Sequence, residues 1–349
     1  MLARGTRGAD SVGDLGVFRS EVPITPGADR EHWARLSLEG DREIILFFAA
    51  MPPRLGAFLA VVFWGLSFVA TKAVVREITP MALVFARASL GAALLVAILS
   101  RRGRGWVPPR DAWPSLALMG FVGVALHQGL QGYALTLTSA VHTGWLIGLT
   151  PIWSAVLAAL VLHERFGRRK VAGLALGFAG AVVVVTRGEL SGLAALPSTR
   201  GDLLILVSTV NWAVYSVLGH PVLRRLGAAR ATLGAMAMGW LLLAIPVAWT
   251  GAWRDYGRLS PTGGAAVLFL GLACSGLGYL FWYGALEKIE ASRVAALLYL
   301  EPLITLAAAV ALLGEQVQLA TVAGGVLLLA GVFLVERAPV APPVAADAD

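Results

Sequence analysis

Ten stretches of roughly twenty mostly apolar residues follow one another between residues 55 and 335, separated by short charged or turn-forming segments. Crossing about 30 Å of hydrocarbon at 1.5 Å of helical rise per residue takes about 20 residues, so each stretch is one membrane span in length. They fall near 55–75, 80–100, 112–134, 139–162, 170–187, 202–222, 230–250, 263–286, 292–313 and 318–335. With 58% hydrophobic and 14% charged residues in 349, the chain is too apolar for water to solvate its folded surface. Its 40 glycines suit helices that pack closely where lipid supplies no hydrophobic drive between them.

A net charge of +7 raises the question of nucleic acid, but the arginines sit in short runs between apolar segments and form no aromatic-interleaved basic patch. Membrane orientation explains them better. Arg101, Arg102, Arg104 and Arg110, then Arg165, Arg168, Arg169 and Lys170, then Arg224, Arg225 and Arg230, then Lys288 and Arg293 mark one alternating set of loops. The other set is poorer in cations, and cytoplasmic loops are the ones enriched in Lys and Arg, so both termini are predicted cytoplasmic in a bacterial inner membrane.

Residues 1–50 scatter charges through Gly, Pro and Ser and are predicted to be a disordered extension, as is the tail 338–349. The extension lacks the basic start, apolar core and small-residue cleavage site of a signal peptide. Met51-Pro52-Pro53-Arg54, leading straight into an apolar run, reads as an alternative start to Met1.

Residues 130–185 lie on 281–336 without a gap: Ala134-Leu135 on Ala285-Leu286, Pro151 on Pro302, Leu162 on Leu313, Glu164 on Glu315, Gly173 on Gly324 and Ala179-Gly180 on Ala330-Gly331. With a small shift Trp64 meets Trp212 and Gly91 meets Gly239. The expected fold is therefore all-α integral membrane, ten transmembrane helices arranged as two five-helix repeats, 51–190 and 200–337. Five is odd, so the second copy enters the membrane from the opposite side and the repeat is inverted, an arrangement suited to alternating access. The loop charges agree: His163-Glu164-Arg165-Phe166-Gly167-Arg168-Arg169-Lys170 is replaced in the second copy by Gly314-Glu315-Gln316-Val317-Gln318-Leu319.

These residues resemble the EamA family of the drug/metabolite transporter superfamily over about Met51 to Arg337. The resemblance is carried by Pro151 through Leu162-His163-Glu164, Pro302 through Leu313-Gly314-Glu315, the Gly-rich runs after each, Phe63-Trp64-Gly65-Leu66-Ser67-Phe68, and Arg87 in the second span. It implies a transporter of small metabolites such as amino acids, with export commoner than import, and leaves the cargo open.

A site must be argued from its own residues. Catalytic machinery is not visible: Lys72, Lys170 and Lys288 lack the preceding glycine of a phosphate-binding loop, His163-Glu164 has no second histidine, and no Gly-x-Ser-x-Gly elbow occurs. Cys274, the single cysteine, excludes an internal disulfide or a cysteine metal cluster. No enzyme activity, cofactor or metal is expected.

Charge inside a span costs roughly 2.5–3.5 kcal/mol at its centre, so Arg87 and Glu301 should face protein or water. Arg87 suits an anionic group on the cargo, and Glu301 a cation or a proton; the plain alternative for each is a polar contact between helices. His127 and Gln131, four apart on one helical face beside Gln128, correspond to Gly278, Trp282 and Tyr279 in the other copy, and these aromatic and amide groups suit an organic ligand; the plain alternative is interhelical hydrogen bonds and interfacial aromatic anchors. Trp64 with Ser67, and Asn211 with Trp212 and Tyr215, form a second such pair and are assigned to the cavity wall. Pro151 and Pro302 are read as hinges within their spans, and Glu164 and Glu315 as caps or salt bridges at helix ends.

The reading is a secondary transporter, with membrane lipid, a small-molecule substrate, a proton or counter-substrate, and a second copy in a homodimer as candidate partners. The rival is a membrane-embedded enzyme acting on a lipid-linked substrate, which would need clustered catalytic groups at one interface. A non-transporting scaffold would have no use for an inverted repeat around polar mid-span residues.

Overall fold

The computed structural model describes residues 51–101, 107–162, 167–189, 197–286, 288, 294 and 296–337; the expected terminal extensions and Glu164 lie outside them. Every regular element among these residues is helical. In order they are α1 (Pro53–Val74), α2 (Pro80–Arg101), α3 (Trp113–Met119), α4 (His127–Leu137), α5 (Ala140–Ile147), α6 (Thr150–Leu162), α7 (Arg168–Thr186), α8 (Pro197–Leu226), α9 (Ala228–Thr250), α10 (Pro261–Leu268), α11 (Tyr279–Leu286), α12 (Glu301–Leu313) and α13 (Leu319–Glu336).

Among the described residues seven helical runs are long and apolar enough to cross a membrane: Pro53–Val74, Pro80–Ser100, Ala140–Leu157, Arg168–Thr186, Thr199–Leu226, Ala228–Thr250 and Pro261–Leu286. Leu297–Leu313 and Leu319–Val335 are shorter apolar helices. The expected third span is a run from α3 through a π-helical stretch, Gly120–Leu126, into α4. His127, Gln128 and Gln131 make it the most polar of the expected spans, and it is not one of the seven.

Two features depart from the straight spans expected. The fourth is broken at Gly148-Leu149 between α5 and α6, and α12 is entered through a 3₁₀ turn, Ala296–Leu300. Pro151 and Pro302 therefore do not interrupt helices, as the hinge reading supposed; each stands in the first turn of a new helix, where a backbone N–H has no intrahelical acceptor to lose. The breaks are equivalent under the repeat alignment. So are the wide turns, since a second π-helical stretch, Phe269–Gly278, matches the one at Gly120–Leu126.

The tightest helix pair is α7 with α13. A Cβ added at Gly180 would lie 2.4 Å from Leu328 N and 2.5 Å from Gly324 O, and one at Gly331 would lie 2.3 Å from Gly177 N and 2.6 Å from Gly173 O. Only a residue without a side chain allows this approach. Because Gly173 faces Gly331 while Gly180 faces Gly324, the two helices run antiparallel. The larger core cluster lies beside this pair and contains Phe68, Leu135, Trp145, Leu146, Ile152, Ile205 and Leu328.

Candidate functional site

A cavity of about 100 Å³ opens where the broken helices meet α1, α4, α8 and α11. Eight of the ten residues proposed as substrate contacts line it: Trp64, Ser67, Arg87, His127, Gln131, Tyr279, Trp282 and Glu301. Asn211 and Tyr215 do not. The Asn211 amide donates to the Val122 carbonyl at 2.8 Å, meeting an acceptor in the π-helical stretch, and Tyr215 is buried against Trp212 at 5.1 Å between ring centroids. Pro151 lines the cavity and Pro302 does not.

Both halves contribute from matched stations. Ile147, Gly148 and Thr150 at the first break correspond to Leu298, Tyr299 and Glu301 at the second, Gln128 to Tyr279, Gln131 to Trp282 and Trp64 to Trp212, and all of these line the cavity. Trp64 and Trp212 meet edge to face at 6.3 Å, with Tyr279 at 5.6 Å from Trp64 and 6.0 Å from Trp212. The His127 ring lies tilted against Trp212 at 4.8 Å between centroids, and its Nδ1–H donates to the Ser208 carbonyl at 3.1 Å, which fixes the ring plane.

The polar groups set in this aromatic frame differ in sign. Arg87 is 8% exposed and its Nε donates to Ser275 Oγ at 3.3 Å. Glu301 is also 8% exposed, at the first turn of α12. Among the described residues neither is ion-paired, and both open onto the cavity. The structure thus offers a guanidinium and a carboxyl inside one apolar-walled space, the groups that receive the two ends of a zwitterion. Among the described residues no three His, Cys, Asp or Glu side chains are grouped to hold a metal ion.

Gln128, read from the sequence beside His127 and Gln131, lines the cavity, is 4% exposed and leaves its Oε1 without a donor. Two further polar residues were not singled out as site candidates in the sequence. Lys72 in α1 donates to the Leu135 and Thr138 carbonyls at 2.7 and 2.6 Å, closing the C-terminus of α4. Asp202 is fully buried near the start of α8, 3.0 Å from His142 Nδ1. The carboxylate of Glu315 accepts from the Ala140 and Val141 N–H groups at 2.9 Å each, and so caps α5 from the other half.

The EamA-like transporter family profile matches the chain twice, over residues 52–186 and 199–337. The chain belongs to this family. The two EamA matches part at the segment between α7 and α8, and they take in every cavity-lining residue. Among related proteins, an uncharacterized transporter of Archaeoglobus fulgidus is 34% identical over 277 residues, covering 79% of this chain and 94% of that one. A probable terminal-alkyne amino-acid exporter of Streptantibioticus cattleyicolor is 28% identical over 281 residues, covering 80% and 91%. A solved crystal structure aligns with TM-score 0.60 at 22% identity, covering 82% of this chain and 98% of the other, and shows a shared fold alone. The chain is a multi-pass membrane protein of a transporter family, and these likenesses give no support to the rival, a membrane-embedded enzyme acting on a lipid-linked substrate.

Proposed function

We propose that the protein is a secondary transporter that exports a small amphipathic metabolite, an amino acid or related compound, by alternating access across a bacterial cytoplasmic membrane. The observation that carries this reading is the shared cavity, which draws an arginine and a glutamate, both without a charged partner among the described residues, from within apolar segments of an EamA chain. Burying unpaired charge is costly unless a ligand or water completes it. Arg87 receives a carboxylate, Glu301 receives an ammonium or a coupling proton, and the Trp64, Trp212, Tyr279 and Trp282 faces hold the apolar part. The amino-acid exporter among the relatives supports the cargo class.

The ten-helix inverted repeat completes the proposal, with residues 51–190 and 200–337 as its halves and both termini cytoplasmic. Its support is the antiparallel α7–α13 pair with its exchanged glycine contacts, and the matched breaks and π-helical stretches. Ala140–Leu157 with its break, and the 3₁₀ entry to α12, are the discontinuous helices that place backbone termini at a carrier's mid-depth site. Rocking at Gly148-Leu149 and at Ala296–Leu300, just before Pro151 and Pro302, moves one half against the other.

The test is flux. Purified protein in vesicles, offered pooled labelled amino acids and related metabolites with and without a pH gradient, is expected to move at least one of them down or against its gradient. Flux of none, together with turnover of a lipid-linked substrate, would overturn the transporter reading in favour of the enzyme.

A further inference from the structure

Four helices lead from the cavity to one end of the bundle, and each carries a polar contact there. Along α1 the chain passes from Phe68 at the cavity to Lys72; along α4 from Gln131 to Leu135 and on to Thr138; along α5 backwards from Ile147 to His142; along α8 backwards from Trp212 to Asp202. The packing between is apolar: Leu135, Leu146 and Ile205 are fully buried and Phe68 is 4% exposed, all in one core cluster. At this end the cavity is therefore stopped by an apolar plug.

A polar layer lies over the plug and crosses between the two family-matched halves. Asp202, from the second half, accepts the Thr138 hydroxyl with one carboxylate oxygen and meets His142 Nδ1 at 3.0 Å with the other, both partners belonging to the first half. Glu315, again from the second half, holds the N–H groups of Ala140 and Val141 between those same two residues. The left-handed Gly314 (φ 63°) turns the chain out of α12 and lets the Glu315 N–H bond the Ala309 carbonyl at 3.2 Å. Lys72 fastens the Thr138 carbonyl from below at 2.6 Å. Further along the same end, Thr79 donates to Asp255 through its hydroxyl at 2.7 Å and its N–H at 3.0 Å, and Ser260 donates to Glu77 through its N–H at 2.7 Å and its hydroxyl at 2.9 Å. In each of these last two pairs one partner again comes from each half.

We infer that Asp202 and Glu315 are the gate of the transport cycle at this end: their carboxylates hold the 138–142 turn of one half against the other, and the cavity opens here only when both let go. The chemistry suits a reversible closure. A carboxylate that gives up two donors regains water as the end opens, so the ties are released without stranding a dry charge. A two-state element of this kind is shifted by whatever removes its ties. The inference rests on the alternating-access reading above and names the residues that set the balance between its closed and open states.

The test reads accessibility and needs no cargo, so gate and carrier can fail separately. Ser67→Cys places a thiol in the cavity wall, and the native Cys274 is buried. Gln318→Cys, exposed in the Glu315 loop, marks the membrane face of this end. An impermeant thiol reagent applied from the face that labels Gln318→Cys should modify Ser67→Cys slowly. Adding Asp202→Ala or Glu315→Ala should speed that reaction about tenfold, the factor equivalent to about 1.4 kcal/mol. Where the alanine variants do not fold, Glu315→Gln and Thr138→Val are read in the same way and should each raise the rate several-fold. Fast labelling of the unaltered gate from this face, or an unchanged rate in folded gate variants, overturns the inference.

Discussion

Gly180→Ala is the sharpest test of how the helices meet. The new methyl would sit 2.4 Å from Leu328 N, 2.5 Å from Gly324 O and 2.8 Å from Leu328 Cα, all backbone of α13, so no side chain can swing aside. Ordinary contact begins at 3.4 Å, and the helices must therefore part by about 1 Å along the closest pair in the molecule. Overpacking of this kind costs about 1–3 kcal/mol, and the better helix propensity of alanine returns at most about 1 kcal/mol. A net loss of about 1–2 kcal/mol is expected. Gly331→Ala, its repeat counterpart, meets Gly177 and Gly173 backbone at 2.3–2.6 Å and should lose a similar amount. Gly129→Ala in α4, with nothing within 4 Å of the added carbon, should be neutral or slightly stabilising. Purified proteins in one detergent, unfolded by heat and by denaturant titration, give the comparison. Gly180→Ala and Gly331→Ala variants as stable as Gly129→Ala would refute the packing argument and with it the antiparallel seam.

Glu301→Gln replaces a titratable carboxyl by an amide of the same shape, so folded yield should hold; if Glu301 carries the coupling proton, the pH-gradient dependence of flux should disappear. Arg87→Ala should weaken binding of carboxylate-bearing cargo by tenfold or more, while Arg87→Lys restores part of it; a loss confined to folded yield would mark Arg87 as structural. In the segment between α9 and α10 the Thr79 hydroxyl and N–H on Asp255 hold its carboxyl below the usual range, aided by Arg258 at 3.3 Å. A carboxyl lowered on folding stabilises above its unfolded value of about 3.9 and loses that contribution as pH falls through the lowered one. Melting temperature should therefore drop faster on acidification in the parent than in Asp255→Asn, which a pH series of melts would read.

Seven of the ten expected spans were legible because their lengths are fixed by the bilayer, and the doubled family unit because Pro151 and Pro302, Glu164 and Glu315, and the glycines recur at one spacing. Arg87 and Glu301 were legible for a related reason, since charge in an apolar run needs a purpose. What could not be read was pairing across the halves. Nothing near Asn211 in sequence announces the Val122 carbonyl 89 residues away, so its polarity pointed at a cavity it does not line. The prolines misled by position: a proline in mid-span reads as a kink, but here the break precedes it, and Pro151 and Pro302 begin helices. Asp202 and Lys72 were passed over because each lies near a span end, where a charge ordinarily meets water; folding instead buries Asp202 against His142 and Thr138.

The account stands on the two halves lying in the membrane in opposite senses around the cavity. Gly167 and Gln318 occupy the same station in the two copies, 151 residues apart, and both are exposed. With Gly167→Cys and Gln318→Cys made singly, an impermeant thiol reagent applied to intact cells and to inverted vesicles should reach Gln318→Cys from outside and Gly167→Cys from the cytoplasm. Labelling of both from the same face would contradict it.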